Sequence, residues 1–358
     1  MTPIDANPIL GTVLHAFGAT AAVFCYTPQQ KLRGWSWQTY WLAQASICWL
    51  IAPLIGAAIT IPHLLEVLRS APPSSLLLTF VLGMLYGIGG TAFGVAIRYI
   101  GYSMTYAIAI GISCILGTFA GPIWSGKIAG ILQQTGAGWV ISGVFIGLVG
   151  TLVCGLAGRL KELELHQNRP DSAQPFVLGK GLLLCILAGI FSAVYGIAVN
   201  DAGKPIALAA EQLGAGHWQT NAVYIFSNSG AFVTTAVYCL WLSLSQKTFG
   251  EYRQPRTEAA DALGVNYLMA LLTGCLWYSQ FFFYGLAHVR MGRFEFSSWA
   301  IHMLMLILFS SLVGMIMREW HGRRLRTKVA IALAMLILGG AVLSLAYGNY
   351  LGQLAGAK

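Results

Sequence analysis

Charge is what this sequence has least of. Only 9% of its 358 residues are Asp, Glu, Lys or Arg, against about 25% in an average soluble domain. So little charge cannot cover a globular surface, which excludes a soluble enzyme. Disorder is excluded too, because 57% of the residues are apolar. Cysteine is sparse and badly placed for chemistry: Cys25, Cys48, Cys114, Cys154, Cys185, Cys239 and Cys275 all fall inside hydrophobic runs and form no C-x-x-C pair. They read as small apolar packers, neither a disulfide framework nor a zinc site. The opening MTPIDANPIL has no basic n-region, and no small-residue cleavage site follows the first run. That run is therefore expected to be a retained helix and not a removed signal peptide.

Hydrophobic runs are what the sequence has in excess, with a mean hydropathy of +0.68. A bilayer core about 30 Å thick takes roughly 20 apolar residues of helix. Ten runs meet this: Ile9–Thr27, Thr39–Thr60, Ser74–Ile97, Tyr102–Gly121, Ala137–Gly158, Gly179–Val199, Trp218–Ser243, Ala262–His288, Ser297–Met317 and Lys328–Tyr350. The fold class is therefore all-α, a polytopic membrane protein with one transmembrane domain over residues 1–358. The longest connection, about Arg159 to Leu178, reads as a polar loop (Lys161, Glu162, Glu164, Arg169, Pro170, Asp171).

Orientation follows from basic residues. Fifteen of the 21 Lys and Arg flank the loops after odd-numbered runs, among them Lys31, Arg98, Arg159, Lys247 and Arg318. The other six are Arg69, Lys127, Lys204, Arg290, Arg293 and Lys358. Both termini are thus expected outside the cytoplasm. The net charge of +9 is mostly this asymmetry, with attraction to the membrane surface as a by-product, and there is no basic soluble face for nucleic acid.

Ten runs divide into five and five, and an odd number per half forces the halves to be inverted: about 9–158 and about 179–350. A faint internal match agrees. Gly83-x-x-Tyr86…Phe93-Gly94…Arg98 in the third run resembles Gly274-x-x-Trp277…Tyr284-Gly285…Arg290 in the eighth, and Gly18 to Phe24 resembles Gly189 to Tyr195. Inverted repeats are characteristic of secondary transporters, whose sites lie near the midplane. Gly83/Gly87, Gly117/Gly121 and Gly143/Gly147 are G-x-x-x-G pairs, suited to tight helix packing or to a moving interface. Gly87-Ile88-Gly89-Gly90-Thr91-Ala92 matches a dinucleotide fingerprint, but inside a membrane helix it lacks the strand that motif requires.

Ionisable residues at membrane depth usually mark a pathway. His15, His288 and His302 lie in or at the end of runs one, eight and nine, and Glu295 heads run nine within Phe294-Glu295-Phe296. A carboxylate among apolar neighbours is raised in pKa, which suits a reversible proton carrier; the alternative for Glu295 is an interfacial partner of Arg290 or Arg293. Asp201 reads as a loop salt bridge with Lys204, and the other acids, Glu164 and Glu251 included, as loop residues. Trp277, Gln280, Phe281, Tyr284 and His288 share one face of run eight. Aromatic faces beside amide and imidazole groups suit a sugar ring, although the same stripe serves helix packing. His15, Ala19, Ala22 and Tyr26 share a face of run one, and Asn200, Asn221 and Asn228 add polar groups; each of these fits a ligand contact or an interhelical hydrogen bond equally.

At these residues the sequence resembles the L-rhamnose–proton symporter family of the drug/metabolite transporter superfamily. The resemblance runs nearly end to end, through Trp35-Ser36-Trp37, Arg98 to Met104, Ile108 to Ile112, Gly189 to Ala193, Lys204-Pro205, Trp277 to Tyr284, Ser298-Trp299…His302-Met303 and Glu319-Trp320. It implies ten helices and proton-coupled import of a 6-deoxyhexose across the bacterial inner membrane. In that reading His15, Tyr26, Asn200, Trp277, Gln280, Phe281, Tyr284 and His288 bind sugar, and Glu295 and His302 serve the proton. Partners are then a small sugar, protons and lipid; no cofactor and no metal is expected. Departures from the family pattern are Gly90 and Ala92 where Asn stands, Phe93 for Tyr, Glu295 for Asp, Gln38 for Glu, one residue inserted around Asp201, and a poor match in run seven. Export of a drug or metabolite, a receptor without transport or an integral enzyme are the alternatives; the runs carry no nucleophile–base set. The charge division makes one prediction. A reporter active only in the cytoplasm, fused after Lys358, should stay silent, and activity would reverse the orientation.

Overall fold

A computed structural model describes residues 6–168 and 177–356; Arg169, Pro170, Asp171 and Lys358 lie outside the described residues. Ten helices are long and apolar enough to cross a membrane: α1 Pro8–Lys31, α2 Trp37–Thr60, α3 Pro73–Ile100, α4 Met104–Trp124, α5 Ala137–Leu165, α6 Leu178–Gln212, α7 Gly216–Ser245, α8 Ala262–His288, α9 Gly292–Ile316 and α10 Leu325–Gly356. The hydrophobic runs thus give the count and order of the spans. They misplace two ends. Helix continues through Lys161, Glu162 and Glu164 to Asn168, and α6 continues past Asp201 and Lys204 to Gln212. Charge marks where lipid ends, whereas backbone hydrogen bonding can continue into the interface.

The chain forms two compact units: Met1–Ala19 with Gly89–Ile197 and Ala287–Lys358, and Thr20–Ile88 with Ala198–Leu286. The divisions fall inside α1, α3, α6 and α8. In the first unit α5 lies along α10, and α4 packs on α6 and α9. Glycine sets these approaches. A Cβ on Gly143 would stand 3.0 Å from the Ala341 carbonyl, and one on Gly189 2.8 Å from the Ala109 carbonyl. In the second unit α3 and α7 meet backbone to backbone, where a Cβ on Gly83 would strike the Ser227 carbonyl and one on Gly230 the Phe80 carbonyl. Close backbone contact through small residues is how helices gain packing in lipid. Six cysteines are buried as expected of packers, but Cys275 is exposed.

Two carboxylates expected in solvated loops are buried. In the second unit Glu251 accepts from the Ser36 amide (2.7 Å), the Ser36 hydroxyl (2.6 Å) and the Thr39 hydroxyl (2.8 Å), with Arg256 Nε at 3.0 Å. In the first, Glu164 accepts from the Arg324 amide (2.9 Å) and the Thr327 hydroxyl. Each carboxylate therefore caps the N-terminus of a distant helix, α2 or α10, where orphan amides and the helix dipole both favour an anion. Their partners lie 160 and 215 residues away in sequence, so local reading could not find them. Glu251→Ala should cost about 3 kcal/mol by leaving three donors buried without an acceptor. Arg256→Ala, at a side chain 61% exposed, should cost under about 1 kcal/mol. Thermal midpoints of the two purified variants in detergent test this, and equal midpoints would refute it.

Candidate functional site

The residues singled out from the sequence fall into two constellations, one in each unit. In the second unit Trp277 is the centre of an aromatic nest. Its ring stands 5.5 Å from Tyr26, 5.6 Å from Trp41 and 5.4 Å from Trp49, and its indole hydrogen-bonds the Tyr86 hydroxyl. Phe281 follows one turn later, 6.2 Å from Tyr86. The backbone of α2 explains how Trp41 and Trp49 reach one partner. Residues eight apart on a straight α-helix end roughly 80° apart around the axis. A π-helical turn at Ser46–Ile51 takes up extra chain and returns Trp49 towards the line of Trp41.

A second π turn, Ala198–Ala202, holds Asn200. Asp201 lies in this turn and not in a loop. Asn200 Nδ2 donates to the Tyr284 hydroxyl at 2.8 Å, and that hydroxyl stands 3.2 Å from Asn200 Oδ1. Asn221 Nδ2 donates to the Thr60 hydroxyl at 2.8 Å, the interhelical alternative. Asn228 and Gln280 are buried.

In the first unit His15 and His302 are buried together, with ring centroids 5.5 Å apart, and half-buried His288 lies within electrostatic reach of His15. The rotation of α9 that presents His302 is fixed by Trp299, three residues earlier. Its indole N–H is 3.1 Å from both the carbonyl and the hydroxyl of Ser113, and Ser113 donates to Ser192 at 2.9 Å. The ring occupies a slot that exists because Gly117 and Gly196 have no side chains: a Cβ there would stand 2.5 Å and 3.1 Å from it. Glu295 is not enclosed as its apolar neighbours led us to expect. It lies on the 3-10 segment Gly292–Ser297, whose tight turns bury Phe294 and Ser297 and leave Glu295 exposed. Nearby, burial lowers the Arg290 guanidinium below its ordinary pKa.

Trp41 and Trp49 escaped the sequence reading, which searched for ionisable residues. Two tryptophans within one run were the available signal.

Comparison with known proteins identifies relatives along nearly the whole chain. A family model described as L-rhamnose-proton symport protein (RhaT) matches residues 4–353. The L-rhamnose-proton symporter of Cronobacter sakazakii is 33% identical over 340 residues, covering 94% of this chain and 97% of that one. The Yersinia pestis protein of the same description is 33% identical over 332 residues, covering 92% and 95%. One from Escherichia coli is 31% identical over 344 residues, covering 95% and 98%.

The Asn200–Tyr284 pair makes a thermodynamic prediction. Tyr284→Phe and Asn200→Ala should each destabilise the protein by about 1 kcal/mol, and the double variant by little more than either alone. Additive losses in thermal midpoint would show the pair to be uncoupled.

Proposed function

This chain belongs to the L-rhamnose–proton symporter family, a family of proton-coupled sugar transporters and not of enzymes, and from that premise we propose that it imports L-rhamnose or a related 6-deoxyhexose with protons. It does so by alternating access in the bacterial inner membrane, with both termini on the periplasmic side. The nest around Trp277 carries the reading. A deoxysugar has a methyl end and an apolar ring face, which aromatic walls cover, and several hydroxyls, which Gln280, Asn200 and Tyr284 bond. His15, His288 and His302 supply imidazoles that can bond a hydroxyl or hold a proton. Tyr26 and Phe281 complete the apolar wall.

The two halves act as inverted repeats, about 9–158 and about 179–350. Support comes from where the compact units divide: inside α1 and α6, and inside α3 and α8, the helices that a five-plus-five repeat equates. Proton coupling belongs to Glu295 and His302. Exposure of Glu295 on its 3-10 segment leaves its carboxylate accessible for loading, and His302 lies beside a second imidazole.

Uptake of labelled L-rhamnose into proteoliposomes under an imposed pH gradient tests the reading. One charge moved through 100 mV is worth about 2.3 kcal/mol, so at about 150 mV one proton supports accumulation on the order of a few hundredfold. Glu295→Gln should abolish accumulation while permitting exchange of sugar across the membrane. Full accumulation by this variant would remove Glu295 from the mechanism, and absence of uptake by the wild type would end the sugar reading.

A further inference from the structure

Most polar side chains of helix α2 have partners within the protein. Gln38 donates to Gln246 and Thr248, Thr39 to Glu251, Tyr40 to Thr273, and Ser46 to the Leu42 carbonyl. Trp41 and Gln44 do not follow. Gln44 is fully buried (0% exposed), yet neither its amide nitrogen nor its amide oxygen has a hydrogen-bond partner, and the indole N–H of Trp41 has none either. An amide enclosed without partners is costly, most of all at membrane depth where water cannot serve.

Trp41 belongs to the nest, and Gln44 stands beside it on the same helix. Trp41 stacks with Tyr26 at 6.5 Å and meets Trp277 edge-on at 5.6 Å. Gln44 is one turn further along α2, where its backbone carbonyl stands 3.0 Å from the place a Cβ on Gly274 would occupy, so that α2 approaches α8 closely one turn before Trp277. Gln44 offers a donor and an acceptor side by side, and Trp41 a further donor. A pair of adjacent ring hydroxyls presents the complementary set, each able to give and to accept.

We infer that Gln44, assisted by the Trp41 indole N–H, is the specificity-determining residue for the sugar's vicinal hydroxyls. The inference rests on the sugar-import reading above.

Titration of detergent-purified protein with L-rhamnose and its 2-deoxy and 3-deoxy analogues tests it, together with thermal midpoints without sugar. The wild type should bind L-rhamnose at least tenfold more tightly than one or both analogues, because a lost hydroxyl strands the buried amide. In Gln44→Leu the L-rhamnose affinity should fall about tenfold or more and the preference over the analogues should collapse. Its sugar-free midpoint should stay level or rise, since an unpaired amide has been replaced by an apolar group of similar size. A lower midpoint or a failure to fold would make Gln44 a structural residue and overturn the inference. Unchanged affinity and ranking in Gln44→Leu would do so as well. Trp41→Phe, which keeps a ring and removes the N–H, should weaken L-rhamnose binding several-fold, and wild-type affinity there would remove Trp41 from the assignment. If the wild type binds L-rhamnose and Gln44→Leu binds it equally, only this inference fails. Absence of binding to the wild type would overturn the import reading and this inference together.

Discussion

A polar group that this chain buries has only the protein itself to bond, because lipid offers no partner. That constraint is most visible at Glu251. One carboxylate accepts from the backbone and side chain of Ser36 and from Thr39, and thereby ties the start of α2 to a segment more than 200 residues later. Glu164 does the same for α10. Enclosing a carboxylate is costly, and at the start of a helix the orphan amides and the helix dipole offset that cost. The anchors fix where α2 and α10 begin, and hence the register of every residue that follows on them.

Register then decides what faces what. On α2, the capped start and the π turn at Ser46–Ile51 together bring Trp41 and Trp49 to the same ring of Trp277. On α9, the indole of Trp299, pinned by Ser113 and admitted by Gly117 and Gly196, sets the rotation that places His302 beside His15. Neither arrangement draws on helix propensity. On α9 a large aromatic ring fills the room left by two glycines, with a hydrogen bond as the stop. This is the packing logic expected where helices gain no hydrophobic advantage from leaving lipid for protein.

Ten spans and the tight glycine contacts were legible because hydropathy and residue size are local properties. Gly83 and Gly143 do meet neighbouring backbone as their spacing implies. The ends of α5 and α6 were not legible, since Lys161 and Lys204 announce water while the helix continues. Nor were the roles of Glu164 and Glu251, whose charge suggested a loop and whose partners are remote in sequence. The contact between His15 and His302 spans 287 positions and left no trace in either local pattern. Glu295 erred the other way: its apolar neighbours suggested enclosure, but a kinked 3-10 segment turns Phe294 inward and leaves the carboxylate exposed. Hydropathy located the spans, whereas the burial and the partners of single charged residues were set by contacts remote in sequence.

Selectivity is where these observations converge. Aromatic walls distinguish sugars weakly, since apolar contact with one methylene more or less is worth about 1–3 kcal/mol, whereas a buried group awaiting a hydroxyl rejects a ligand without it far more strongly. The family resemblance leads one to expect polar side chains on α3 at the positions of Gly90, Ala92 and Phe93. In this chain those three residues are buried and apolar, and Phe93 packs edge-on against Tyr106 at 5.0 Å. On the proposed import reading, discrimination among hydroxyls falls on fewer groups than in a protein that keeps those side chains. Of the remaining groups, the Tyr284 hydroxyl is already bonded to Asn200, and a sugar must compete with that bond to use it. An amide with no internal partner, such as that of Gln44, meets no such competition, so under the proposed specificity role its whole hydrogen-bonding capacity would serve to distinguish one sugar from another.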